Sequence, residues 1–232
     1  MIPVRLPFLS FLAVLVAAAT LSSCTSKTTS VNGPPGTSTF GIPGAGSFFT
    51  VQNSTTDSNG ILTVNDPSTD FVVKSGLSIN GKTNVVLVVS SPSSDTNYLH
   101  YESNGDVSTY APNNGFSLTA SGWLTYPFGS QTTTTFTHDT VDGNGFAVHD
   151  AFTIAGSGTG IDTIKGKTFV VQKATISSTE TSKGVTSTGL LIILDYAPSL
   201  GYVVKSEQPG GRDPSGFFQD AQHSIVIDYL VK

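Results

Sequence analysis

The sequence predicts an all-β fold, a single antiparallel β domain, from three observations. From residue 47 onward, short segments rich in Val, Ile, Thr, Phe and Tyr recur; Asn-Gly, Asp-Gly and other glycine-rich pieces separate them. No window of about a dozen residues carries a helical apolar period without Gly, Pro or a β-branched run interrupting it. Composition agrees: the 232 residues include 31 Thr, 30 Ser, 24 Gly and 12 Pro, and only 12% are charged, against about a quarter in ordinary soluble domains.

Taken in order, the expected strands cover 48–53, 61–65, 71–75, 84–90, 98–102, 107–111, 123–126, 133–141, 146–154, 168–176, 184–195, 201–205 and 224–231. Asn80-Gly81 and Asn104-Gly105 supply the two positive φ angles of type I′ hairpin turns. Pairing Ser103 with Asp106 would set Leu99 opposite Tyr110 and His100 opposite Thr109. In the last segment Ile225, Ile227, Tyr229 and Val231 fall on one face, with Val226, Asp228 and Leu230 on the other. Pro198 and Gly201 suit a tight corner between two late strands.

Before the domain stands an address. Residues 1–23 hold one positive charge, at Arg5, then an apolar stretch over 6–19, the pattern of a secretory signal. Leu21-Ser22-Ser23-Cys24 resembles the bacterial lipobox, which implies cleavage between Ser23 and Cys24 and lipidation of Cys24, the single cysteine of the chain. Acyl chains at one N-terminal cysteine exceed what stable anchoring requires. Residues 24–46 comprise this cysteine and a Ser-, Thr-, Gly- and Pro-rich tether, and residues 47–232 the β domain. Thr25 and Ser26 lack the aspartate that commonly retains lipoproteins in an inner membrane, which favours the periplasmic side of the outer membrane in a host with two.

Three further pieces carry a resemblance: Trp123-x-x-Tyr126-Pro127, Gly166-Lys167-Thr168-Phe169, and Tyr196-Ala197-Pro198-Ser199-Leu200-Gly201-Tyr202-Val203-Val204-Lys205. They resemble segments of a loose group of poorly characterised bacterial lipoproteins with a long antiparallel sheet, in which a Y-A-P-x-x-G-x-V-K segment recurs. Such sheets are similar to the curved, half-open barrel of the LolA/LolB lipoprotein carriers, whose concave face holds acyl chains. The resemblance implies a half-open barrel here, with a β-sandwich as the alternative, and assigns no catalytic residue.

Several constellations bear on chemistry. Gly76-Leu77-Ser78-Ile79-Asn80-Gly81-Lys82-Thr83 matches the phosphate-loop pattern, but that mechanism needs a helix N-terminus behind the lysine. Asn84-Val85-Val86-Leu87-Val88-Val89 comes next instead, and is β-branched. A hairpin with an even-numbered loop around Asp142-Gly143-Asn144-Gly145 would place His138 opposite His149, the start of a metal site without an evident third ligand. Asp139, Asp142 and Asn144 lack the spacing of a calcium loop. Among the carboxylates Asp139, Asp142, Asp150 and Asp162, no acid–base pair stands out, and no G-x-S-x-G or H-E-x-x-H motif is present. The aromatics, among them Trp123, Phe128 and Phe136, either fill a core or line a concavity for a lipid. The loop Pro209–Gly216 offers a grip on a partner.

A net charge of -5 without a basic cluster argues against nucleic acid, and no nucleotide or other cofactor is expected. The sequence therefore leads to a non-enzymatic, lipid-anchored envelope protein that binds an apolar ligand, acyl chain or peptide on a concave sheet face. The alternative is a structural or adhesive module binding another protein through a sheet edge or loops; a hydrolase or metal-binding protein comes third.

Overall fold

The computed structural model describes residues 40–110, 122–141, 145–212 and 218–232. Ser23, Cys24 and the expected signal peptide lie outside the described residues, as do Asp142, Asn144 and the centre of the 209–216 loop. The strands are β1 (Phe48–Thr56), β2 (Leu62–Val64), β3 (Ser68–Ile79), β4 (Lys82–Ser91), β5 (Thr96–Tyr101), β6 (Val107–Tyr110), β7 (Leu124–Tyr126) and β8 (Thr133–Val141). They continue as β9 (Ala147–Ile164), β10 (Lys167–Ser182), β11 (Val185–Ala197), β12 (Tyr202–Gln208), β13 (Gly211–Arg212), β14 (Phe218–Gln219) and β15 (Ala221–Leu230).

Thirteen of these strands make one antiparallel sheet in the order β7-β6-β5-β4-β3-β1-β15-β12-β11-β10-β9-β8, with β2 added to β1. The end strands β7 and β8 do not pair, so the sheet is not closed into a barrel. It nevertheless folds over on itself, because apolar residues from distant strands need partners to leave water. One cluster joins Val107, Tyr126 and Phe128 to Ile154, Ala174, Ile176, Ile192, Leu194 and Tyr196. It packs β6 and β7 against β9, β10 and β11. A second gathers Phe49, Val51, Val72, Val86, Val88 and Leu99 with Tyr202, Val204 and Val226. Within both clusters the enclosed side is packed with side chains rather than left open.

Turn chemistry explains the hairpins. Asn80 and Gly81 have φ of 44° and 80° between the paired Ile79 and Lys82, the type I′ geometry expected. Lys165-Gly166 and Lys183-Gly184 adopt the same signs, with φ of 51° and 75°, then 53° and 75°. Those two turns place an ordinary residue left-handed ahead of the glycine, and the sequence signal for them was weaker.

At Asn104-Gly105 the expectation is corrected. Only Gly105 takes positive φ, at 87°, and its amide donates to Glu102 O at 3.0 Å while Glu102 N donates to Asp106 O at 2.9 Å. Asn104 Oδ1 accepts from Asp106 N at 3.1 Å, a local bond that favours a three-residue loop over the type I′ turn. The odd loop shifts the register by one, so Leu99 faces Thr109 and His100 faces Ser108.

The last strand is corrected for a related reason. Between Thr50 and Val51 the pairing with β15 jumps from Asp228 to Val226, leaving Ile227 as a bulge. A bulge reverses the alternation. Val226 is therefore buried ahead of it and Tyr229 and Val231 pack on the core beyond it, while Ile225, Ile227 and Leu230 are exposed.

Residues 40–46, expected within the tether, lie against the domain. Gly41 N donates to Pro198 O at 2.7 Å, Gly44 N to Lys232 O at 3.0 Å and Gly46 N to Val72 O at 2.8 Å. They dock on the predicted corner, where the amides of Leu200 and Gly201 both donate to Ala197 O at 3.0 Å. Gly201 has φ of 65°, and a Cβ there would sit 2.1 Å from Gly41 O. Gly201→Ala is expected to cost about 1–2 kcal/mol in backbone strain alone and to lift residues 40–43 off the corner. Thermal unfolding with hydrogen exchange at Gly41 checks this; unchanged protection would contradict it.

Candidate functional site

Among the described residues the aromatics that sequence reading offered to a ligand are held in ring contacts. Phe128 is fully buried, stacked on Tyr196 with centroids 4.7 Å apart. Phe136 stacks on Phe152 at 5.0 Å. Trp123 is buried and donates Nε1–H to Asn80 O at 3.2 Å, with Lys82 Nζ 5.6 Å from its ring centre. It thereby holds the hairpin whose sequence matches a phosphate loop. In that hairpin Lys82 opens a strand, not a helix, and its ammonium pairs with Glu102. Burial alone would raise Glu102, but the hydrogen bonds from Lys82 and Ser108 hold its carboxyl below the usual range.

The two candidate metal histidines do not meet. The 142–146 loop between β8 and β9 has an odd number of residues, so His138 pairs in register with Asp150 and Asp139 with His149. The His149 ring bonds Asp139 Oδ1 through Nδ1 at 2.6 Å on an exposed surface. Among the described residues no three His, Cys, Asp or Glu side chains gather as a metal site.

Two polar groupings were not visible in the sequence as groupings. In the first, Lys173, Asp195 and Lys205 stand in one row across β10, β11 and β12, with Lys173 Nζ 2.5 Å from Asp195 Oδ2. Burial and the neighbouring Asp195 carboxylate push Asp162 up, and Lys205 continues the network to Glu207 at 2.9 Å. Two ammoniums thus stand among three carboxylates. Asp162 was among the carboxylates considered from sequence, but its partner Asp195 sits at the end of an apolar run and was read as a strand terminus.

The second grouping is a cavity of about 240 Å³. Its floor arises from the alternation along three adjacent strands. On β12 the buried positions run from Tyr202 and Val204 to Ser206 and Gln208. On β1 the same parity runs from Phe49 and Val51 to Asn53 and Thr55. On β15 it runs from Val226 to Ser224 and Gln222. Register then makes two transverse rows, Asn53–Ser224–Ser206 and Thr55–Gln222–Gln208. The apolar core stops at the valines, and the cavity begins where the side chains become hydroxyls and amides.

Within it Ser224 Oγ donates to Asn53 Oδ1 at 2.6 Å, and Asn53 Nδ2 donates to Ser68 Oγ at 3.5 Å. Gln208 is 4% exposed, yet its Nε2 has no hydrogen-bond partner. A buried amide left so costs about 1–3 kcal/mol. Asn65 and His223 complete the wall. The turn from Asp57 to Ile61, where Asp57 Oδ1 accepts from the Asn59 and Ile61 amides, each at 2.8 Å, lies at the end of β1 next to the cavity. Only the Val-to-Ser and Val-to-Asn changes at matching parity could have signalled this site from sequence. An opening of this size was expected to be apolar, and its walls are polar.

No protein-family model matches the sequence, and no curated protein matches it. Three solved structures have similar folds. One is a Bacteroides fragilis protein described as exported with a YmcC-like fold: 13% identity over 82% of this chain and 99% of that one, TM-score 0.37. Another is a protein from Parabacteroides distasonis described as a lipoprotein, with 12% identity over 82% and 98% and a TM-score of 0.43. The third is the hypothetical lipoprotein YmcC of Escherichia coli, with 11% identity over 82% and 89% and a TM-score of 0.34.

Proposed function

We propose that this chain is a lipid-anchored protein of the bacterial envelope whose β domain binds a ligand in the polar cavity without transforming it. The Leu21-Ser22-Ser23-Cys24 lipobox and the apolar stretch before it support the anchor, and Thr25 and Ser26 support the outer membrane. The unpartnered Gln208 amide, buried in a cavity walled by hydroxyls and amides, carries the binding part. Of the cavity's described lining residues, His223 is the only titratable one, so the constellation suits recognition better than acid–base chemistry.

Geometry also bears on orientation. Ahead of β1 the described chain runs past Pro198 and then Lys232 to the Phe48 end of β1, whereas the cavity starts at Asn53 and extends past Thr55. At about 3.3 Å per residue the far row lies about 23 Å along β1 from Phe48. Residues 41–46 and the cavity thus lie toward opposite ends of β1. A second reading, contact with another protein, draws on the exposed Ile61, Leu62 and Val64 at the tip beside the cavity.

Metabolic labelling with radioactive palmitate tests the anchor. The wild-type chain is expected to incorporate label and fractionate with membranes, and Cys24→Ser to lose more than nine-tenths of both. Equal labelling of the variant would refute lipidation at Cys24.

A further inference from the structure

We infer that the cavity takes a neutral, hydroxyl-rich ligand of about one sugar unit, an inference that rests on the binding role proposed above and names its chemistry. The groups that line it exclude the other ligand classes in turn. Among the described residues the lining holds no Lys, Arg, Asp or Glu, and its one titratable side chain, His223, already faces Glu207 at 3.7 Å, so the described walls offer an anion or a metal ion little counter-charge. The floor rows Asn53–Ser224–Ser206 and Thr55–Gln222–Gln208 hold no aliphatic or aromatic side chain, so an acyl chain would strand their donors and acceptors without water.

A peptide bound by strand addition needs an unpaired strand edge. The floor strand β15 is hydrogen-bonded to β1 on one side and β12 on the other, and β1 and β12 are themselves paired outward with β2, β3 and β11. What remains is a ligand that both donates and accepts through uncharged groups, as a pyranose does. The Gln208 Nε2 donor then meets a ring hydroxyl or acetamido oxygen, and the Ser224–Asn53 pair offers a second bidentate contact. A volume of about 240 Å³ is far more than the ~10–15 Å³ that one water needs on the same measure, and admits a ring of pyranose size together with bridging waters.

The test uses the full chain extracted in a detergent without a sugar headgroup, titrated with N-acetylglucosamine, glucose and galactose. Palmitate, inorganic phosphate and a blocked Gly-Ser-Gly peptide serve as comparison probes. Saturation-transfer NMR reads binding, and thermal unfolding reads the fold. At least one sugar is expected to bind saturably and to bind about tenfold more weakly to Gln208→Leu. That variant removes the unpartnered amide and should unfold no earlier than wild type. Ser206→Ala, a smaller change in the same wall, is expected to weaken the same sugar.

Sugar binding that both variants leave unchanged would overturn the assignment. Binding of palmitate, phosphate or peptide in place of sugar, weakened by Gln208→Leu, would overturn the ligand class while leaving the cavity as a binding site. Silence from every probe would overturn both.

Discussion

Replacing Phe128 with alanine is expected to destabilise the domain by about 3–5 kcal/mol. The ring is fully buried and lies between two others, 4.7 Å from Tyr196 with an interplanar angle of 19°, and 5.9 Å from Tyr126 at 22°. Tyr126 belongs to the end strand β7 and Tyr196 to β11 in the other half of the sheet. No backbone hydrogen bond closes the sheet, so side-chain packing at this cluster holds its two halves together. Truncation removes the transfer energy of the ring, leaves a cavity, and loses stacking worth about 0.5–1.5 kcal/mol per pair. Total stabilities of domains lie near 5–15 kcal/mol, so the variant should sit close to the folding limit. Denaturant unfolding checks this. A midpoint shift worth less than about 1 kcal/mol would mean that Phe128 does not bridge the halves. Phe136→Ala, at a partly exposed site on the end strand β8, should cost markedly less.

The second large effect is a pH dependence at Asp70. The residue is 2% exposed, and burial pushes its carboxyl from 3.8 up to about 7, against the opposing hydrogen bonds of Tyr202 and Ser90. Tyr202 Oη donates to Asp70 Oδ2 and Ser90 Oγ to Oδ1 at 3.4 Å, while the Tyr202 ring stacks on Phe49 at 4.0 Å. With its folded value above its unfolded value, the group binds a proton more tightly in the native state. Its contribution is therefore fully present below about pH 4, falls as pH rises, and is gone above about pH 7. Three units at 1.36 kcal/mol each make this about 4 kcal/mol at most.

Asp70→Asn preserves the shape and can still accept from Tyr202, so it is expected to gain a few kcal/mol over wild type at pH 8 and little at pH 4. The comparison of the two proteins isolates Asp70 from carboxylates that act oppositely, such as Glu207, which the Lys205 hydrogen bond holds down. Denaturant unfolding at both pH values measures it, and parallel profiles for the two proteins would contradict the buried-acid reading.

The strands and most turns were readable because their signals are local. Val, Ile, Thr and Tyr segments between glycine turns need no knowledge of their partners to be recognised as strands, and the β8 bounds coincide with the expected 133–141. The expected strand at 146–154 instead runs on to Ile164 as the 18-residue β9, because Gly156, Gly158 and Gly160 look like punctuation yet do not break it. One lies where a side chain would collide with backbone: a Cβ at Gly156 would meet Gln131 Cα at 2.4 Å, whereas one at Gly160 would meet only the movable end of Lys173. Gly156 serves close approach rather than a turn.

Register was the weak point. The odd loop at 103–105 moved every cross-strand pair of that hairpin by one, the five residues at 142–146 separated His138 from His149, and the Ile227 bulge reversed the last strand.

By itself the sequence determined the class of fold and the corner at Pro198 and Gly201, because period and turn geometry are properties of contiguous residues. The cavity and the Asp162–Asp195 pair were decided only in three dimensions. Each exists because distant strands pair in one register, as β1 does with β15 and β15 with β12 around the cavity. A slip of a single residue in any of them would carry the polar row to the opposite face of the sheet.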